Sequence, residues 1–179
     1  MGFVVRESLL HNPVKEMLMN YKDFEIVYVD MDGVMADFAK GVITATGMTI
    51  EEIEKTGSWD EVKGELCASN FFNELEVMPI VDILNANMGK WDIMTAVGYL
   101  STENVIENKK LWISRVFNEL PKFNYVLKSH EKAKFAKKGV FLIDDRPKSV
   151  NPFLEQGGDA LLFNNSKEQL EFLKEFFTE

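Results

Sequence analysis

The residues best suited to chemistry are four carboxylates in two pairs. Asp30 and Asp32 flank Met31 at the tip of an apolar run, Ile26 to Val29, and Gly33 follows them. Asp144 and Asp145 end a second apolar run, Val140 to Ile143. Successive side chains of an extended strand point to opposite faces, so Asp30 and Asp32 share a side wherever strand geometry persists. If both runs are parallel strands of one sheet, their tips open on one edge and the four acids converge. Unpaired, such carboxylates repel and force protons onto some of their number. A hard divalent cation resolves the conflict, and Mg²⁺ suits a few carboxylates completed by phosphate and water. A calcium loop starting at Asp30 fails, because its twelfth position should be Glu and is Gly41, and a strand precedes it where a helix should. A merely strand-ending acidic pair gives no reason for the second pair. Thr95, ending a run from Trp91, and Lys134, ahead of Val140, fall at neighbouring strand boundaries. Singly, Thr95 reads as a turn residue and Lys134, among Lys132, Lys137 and Lys138, as part of a solvated face. In chain order with the acids they become specific.

These residues need a scaffold that alternates strands and helices. Short apolar runs at Ile26–Val29, Trp91–Thr95, Asn124–Leu127, Val140–Ile143 and Ala160–Phe163 predict five strands. Val105, Ile106, Trp112, Ile113 and Val116 share one face of a helix predicted over Glu103–Asn118, stopped by Pro121. Ser166 followed by Gln169 is a capping box opening a last helix, with Leu170, Leu173 and Phe177 turned inward. The pattern is a doubly wound, Rossmann-like parallel α/β sheet. Residues 39–78 break the rhythm, because the stretch between Asp30 and Trp91 is far longer than one crossover helix needs. Thr49, paired with Glu52, caps a helix to Lys55, and Asp60–Leu66 suggests another after the turn at Trp59. We read 39–78 as a small helical insertion over the carboxyl edge of the sheet, 25–38 and 79–179 as the α/β core, and 1–24 as a helical extension. An ordinary two-helix crossover is the alternative for 39–78.

Composition narrows the function classes. The 179 residues suit one compact domain, with 46% hydrophobic and 27% charged residues. Twenty-nine acids against 20 Lys and Arg give a formal charge of −9, which argues against a nucleic-acid partner and a polybasic membrane role. The single cysteine, Cys67, makes no internal disulfide or zinc cluster and points to a reducing compartment. No apolar stretch approaches the roughly 20 residues that span a bilayer. Arg6, Glu7, Lys15 and Glu16 interrupt the N-terminal apolar residues, and Arg6 stands where myristoylation after Gly2 wants Ser or Thr. A cytoplasmic protein is expected.

The order Asp-x-Asp-Gly, Thr, Lys, Asp-Asp on successive strand ends resembles the haloacid-dehalogenase-like phosphohydrolase superfamily. Asp30-Met31-Asp32-Gly33-Val34-Met35-Ala36-Asp37-Phe38, Asn70-Phe71-Phe72-Asn73-Glu74-Leu75-Glu76 and Leu142-Ile143-Asp144-Asp145-Arg146-Pro147 are similar to motifs of its 5′(3′)-deoxyribonucleotidase family. The likeness covers roughly residues 25–175. It implies a Mg²⁺-dependent phosphomonoesterase acting on nucleoside monophosphates, with Asp30 as nucleophile and Asp32 as general acid and base. It implies metal ligation by Asp30, the Asp32 main-chain carbonyl and Asp145, with Asp144 holding waters or the lysine. Thr95 and a lysine would bind the phosphoryl group; Lys134 is preferred on spacing and Lys132 is its rival. Phe38, Trp59 and Phe72 match base-sandwiching positions, although core packing explains such rings equally well, and Arg146 is a substrate-contact position. Where mammalian members carry Ser-Pro after the Thr, this chain has Ala96-Val97-Gly98, so a hydroxyl near the phosphate is lost. The resemblance also implies a small-molecule partner and is compatible with a homodimer. Two other readings compete. A phosphatase of another ester, such as a sugar phosphate, would share the catalytic set. A phosphate-receiving regulatory domain uses Asp, Thr and Lys too, but places its acidic pair on the first strand.

Overall fold

A computed structural model describes residues 19–179. Five strands form one parallel sheet: β1 (Ile26–Val29), β2 (Asp92–Ala96), β3 (Phe123–Val126), β4 (Val140–Asp144) and β5 (Asp159–Leu162), in the order β3-β2-β1-β4-β5. This is the doubly wound arrangement that the alternating pattern predicts. The order reverses at β1, so its carboxyl end lies at the topological switch point, where the crevices of such sheets open.

Both faces are covered. Val27, Val29, Ile93 and Ile143 point into a core made with α5 (Ile80–Asn85), α6 (Thr102–Val116) and α8 (Lys167–Phe176). The alternate residues Tyr28, Met94 and Leu142 point the other way, against Val150 and Phe153 of α7 (Pro147–Glu155). That period of two is why strands buried on both faces read as unbroken apolar runs. The β3–β4 connection carries a 3₁₀ segment, Ser129–Phe135, in place of a full helix.

The long β1–β2 connection holds α1 (Phe38–Thr46), α2 (Ile50–Lys55), α3 (Trp59–Ala68) and α4 (Phe71–Glu74) before α5. Asp37 caps α1 by accepting from the Lys40 amide, and Thr49 with Glu52 closes the predicted capping box on α2. The chain leaves the sheet edge and returns alongside itself: the Asp37 amide donates to the Glu76 carbonyl and the Met78 amide to the Met35 carbonyl. The four helices carry buried residues of their own, among them Val42, Ile53, Leu66, Phe71 and Phe72.

The predicted helix over Glu103–Asn118 runs from Thr102 to Val116 and ends at an extended Phe117, ahead of Pro121. At α8 only half of the predicted box forms. Ser166 Oγ accepts from the Gln169 amide, while the Gln169 side chain turns to Leu162 and Asn164. The helical extension expected over 1–24 lies, for residues 1–18, outside the described residues. Its end packs on the core, with a 3₁₀ turn at Tyr21–Asp23 and the Phe24 ring against Phe141 and Phe176.

Candidate active site

Register brings the acids together. Val29 of β1 lies level with Ile143 of β4, so Asp30 and Asp144, each one residue further on, are neighbours across the sheet; the Asp30 amide donates to the Ile143 carbonyl. One carboxylate oxygen from each of Asp30, Asp144 and Asp145 lies within 4.8 Å of the others. Gly33 makes this approach feasible. Its φ of +78° belongs to the left-handed region, and a Cβ there would sit 2.1 Å from Asp145 Oδ2. Any side chain at position 33 would push Asp145 off the cluster.

Two lysines answer the acids. Lys132, fully buried, donates to Asp30 Oδ1 at 2.8 Å and Asp144 Oδ2 at 2.6 Å. Burial disfavours its charge, but Asp30 and Asp144 outweigh that and hold the ammonium above its ordinary value. Lys109, also fully buried, donates to Asp32 Oδ2 at 2.9 Å, Thr95 Oγ1 at 2.7 Å and the Ala96 carbonyl at 3.1 Å. Asp32 is pushed up by burial; Lys109 opposes that shift and Asp30 adds to it. Burial raises Asp144 to about 6, helped by Asp30 and opposed by Lys132. Asp145 rises to about 7 through burial, with Asp30 and Asp144 adding their charge. No lysine reaches Asp145 among the described residues, and Asp145 Oδ1 and Asp32 Oδ1 are buried without a hydrogen-bond partner. All-oxygen donors, excess negative charge and an orphaned carboxylate oxygen fit a hard divalent cation.

Lys134 is not in the site. It is exposed and pairs with Glu131 at 2.7 Å, while Lys132 holds the position between the acids. A 3₁₀ segment turns about 120° per residue, so Lys132 and Lys134 face different directions. Spacing to Asp144 alone misassigns the lysine, because it takes no account of how tightly the intervening segment is wound. Lys109 is the residue that sequence reasoning overlooked. Its signal was present: it stands four residues after Val105 and three before Trp112, within the apolar stripe of α6.

The aromatic positions form one cluster. The Phe38 ring meets Trp59 edge-on at 6.4 Å, Phe71 edge-on at 5.4 Å and Phe72 nearly parallel at 6.1 Å. Phe38 and Trp59 are half-buried, whereas Phe72 is buried and has the Lys109 ammonium 5.0 Å from its centroid. A base between two rings needs about 7 Å between them, twice the contact distance of carbon atoms. Phe38 and Phe72 are therefore closed on each other. Arg146 is exposed at the start of α7, and its amide donates to Asp144 Oδ1.

The fold is a haloacid-dehalogenase-like α/β fold. A solved dehalogenase with an intermediate complex superposes with a TM-score of 0.51 at 10% identity, covering 77% of this chain and 84% of its own. A haloacid dehalogenase-like family hydrolase from Streptococcus pneumoniae gives 0.50 at 13% identity over 84% and 91%. In sequence the chain is similar to a Vibrio phage KVP40 protein named "Putative 5′(3′)-deoxyribonucleotidase", 28% identical over 131 residues, 71% of this chain and 69% of the phage protein. The resemblance read from the motifs is thus borne out in the fold and in this relative. No family model matches the chain. No helix among the described residues is long and apolar enough to cross a membrane.

Proposed function

We propose that the chain is a Mg²⁺-dependent phosphomonoesterase acting on nucleoside monophosphates through an aspartyl-phosphate on Asp30. The observation that carries this is the pairing of Asp30 and Asp32 at one strand tip, each bonded to its own buried lysine. Lys132, bonded to Asp30 Oδ1, holds that carboxylate in one orientation, as a nucleophile needs. Asp32, its pKa raised by burial, protonates the leaving oxygen and later takes a proton from the hydrolytic water. Thr95 and Lys109 stand beside Asp32 to receive phosphoryl oxygens, and Lys132 offsets charge on the other side. Asp30, Asp145 and the Asp32 carbonyl would hold Mg²⁺, with Asp144 behind them; the ion would neutralise the phosphate and the acids. Residues 39–78 would act as a specificity cap. With Phe72 closed against Phe38 and Lys109, the base would meet the outer faces of Phe38 and Trp59, and Arg146 would reach the substrate from the other rim.

The closed Phe38–Phe72 pair is also what favours a second reading, a phosphatase of a smaller ester such as a sugar phosphate. Initial rates on para-nitrophenyl phosphate with and without Mg²⁺, then on a panel of nucleoside monophosphates and sugar phosphates, decide between them. Turnover that needs Mg²⁺ and prefers nucleotides is expected. A preference for sugar phosphates selects the second reading, and no Mg²⁺-dependent turnover rejects both.

A further inference from the structure

We infer that Asn104 is a positioning residue: by tying the helical insertion to α6 it sets where the Lys109 ammonium meets Asp32. The inference rests on the phosphomonoesterase reading for its kinetic signature only. Asn104 Nδ2 donates to the carbonyls of Cys67 at 2.8 Å and Ser69 at 2.9 Å, at the C-terminal end of α3, where helix carbonyls lack intrahelical partners. Buried Asn108, one turn later, donates to the Asn104 carbonyl at 2.9 Å and to Asn104 Oδ1 at 3.2 Å, which fixes the amide orientation. The gripped segment is stiff in its own right. Ser69 Oγ donates to the Leu66 carbonyl and accepts from the Phe71 amide. Phe72 follows directly, with its ring against the Lys109 ammonium.

A closed circuit results: Asn104, the end of α3, Phe72, Lys109, then back along α6 through Asn108. Lys109 reaches Asp32 and Thr95 from a helix, whereas every other charged group at the edge comes from a strand tip or the 3₁₀ segment. Its placement therefore depends on how α6 docks, and the main-chain grip of Asn104 sets that docking at the N-terminal end of α6. Trp112 and Arg115 grip Leu75 and Asn73 further along, so loss of Asn104 loosens one end of α6 without freeing the insertion.

The test is Asn104→Ala, alone and combined with Lys109→Met, with melting temperature recorded for each. A nucleoside monophosphate has a poor leaving group that needs Asp32 as acid, and para-nitrophenyl phosphate does not. We expect kcat/KM for a nucleoside 5′-monophosphate, which reports formation of the aspartyl-phosphate, to fall about tenfold and that for nitrophenyl phosphate to fall clearly less, since a misplaced general acid forfeits part of a roughly 10²–10⁴-fold contribution while the phosphoryl contact of Lys109 is common to both substrates. In the Lys109→Met background Asn104→Ala should add nothing. Asn104→Gln, which keeps the amide, should recover part of the loss. Equal losses on both substrates, or an undiminished effect without Lys109, would overturn the inference. A second readout needs no turnover. The ¹⁵N ammonium resonance of Lys109, assigned by its loss in Lys109→Met, should shift and broaden in Asn104→Ala; an unchanged resonance also overturns the inference. A folded wild-type protein that hydrolyses neither substrate would instead reject the phosphomonoesterase reading, and the resonance would still decide the role of Asn104.

Discussion

The acidic edge of the sheet and the aromatic cluster of the β1–β2 connection meet at Lys109, which touches Asp32 on one side and the Phe72 ring on the other, yet they are built on different physics. At the edge, charged groups sit at fixed hydrogen-bond distances, and Gly33 leaves no room for a Cβ beside Asp145. In the cluster, Phe38, Trp59, Phe71 and Phe72 meet edge-to-face or, for Phe38 and Phe72, nearly parallel, with contacts that tolerate small displacements. The edge is set by strand register, which moves in whole residues. The cluster is set by packing, which adjusts continuously. On the proposed function, chemistry that needs placement to a fraction of an ångström would fall to the edge, and selectivity to the cluster.

The sharpest way to break that division is at Asp30. Asp30→Asn should lower kcat by about three orders of magnitude or more, because it would remove the proposed nucleophile rather than weaken it. Native circular dichroism with kcat within tenfold of wild type would remove Asp30 from that role. Next comes Lys132→Met, which leaves two buried carboxylates facing each other; breaking such a pair costs about 3–5 kcal/mol. We expect a lower melting temperature, restored in part by Mg²⁺, and turnover reduced by about a hundredfold or more. Lys134→Met should change turnover less than twofold, and the reverse ranking would return Lys134 to the site.

The acids also predict how metal and pH act together. Asp145 titrates near 7 in the fold against an ordinary 3.8, so between those values the metal-free fold holds a proton that the unfolded chain has released. Stability then falls as pH rises through that window. Asp144, at about 6, acts in the same sense, whereas Lys132 is held above its ordinary 10.5 and loses its contribution only at higher pH. Metal-free protein should melt lower at pH 8 than at pH 5, and Mg²⁺ should raise the melting temperature more at pH 8, where it displaces no protons. Equal Mg²⁺ effects at the two pH values would contradict a shared acidic metal site.

The aromatic cluster should show a milder, substrate-dependent effect. Stacking a base on an aromatic ring is worth about 1–3 kcal/mol, so Trp59→Ala should reduce kcat/KM for nucleotides by about 5- to 150-fold. Values for ribose 5-phosphate and nitrophenyl phosphate should change much less. A uniform drop across all substrates would assign Trp59 to packing alone.

The same division explains what the sequence makes legible. Asp30, Asp32, Thr95 and the Asp144–Asp145 pair could be found because strand tips are easy to locate and acids there are conspicuous. The β1 boundaries, Ile26–Val29, were read as they stand, and the other strands to within one residue. Spacing prefers Lys134 to its rival Lys132 because a 3₁₀ winding leaves no period to read over so short a span. Lys109 was passed over because lysines on helices are ordinarily solvated, although this one interrupts an apolar stripe. Phe72 reads equally well as a base-sandwiching ring or as core packing, because its type matches both roles; only geometry shows Phe38 and Lys109 already against it. The short helices α4 and α5 span too few turns for their periodicity to stand out.

The central position of β1 also governs how the molecule comes to be made. Asp30 meets Lys132 across 102 residues of chain, and Asp32 meets Lys109 across 77. Each pairing closes a large loop whose entropy must be lost before the contact repays it. Parallel sheets with such non-local neighbours fold slowly. During synthesis, β1 and the four helices α1 to α4 emerge long before β4 can pair with β1. Until it does, the four acids lack Lys132 and have no shared pocket. Catalytic competence should therefore be the last property to appear in refolding, trailing helix formation and collapse, and truncation ahead of Val140 should leave no residual turnover.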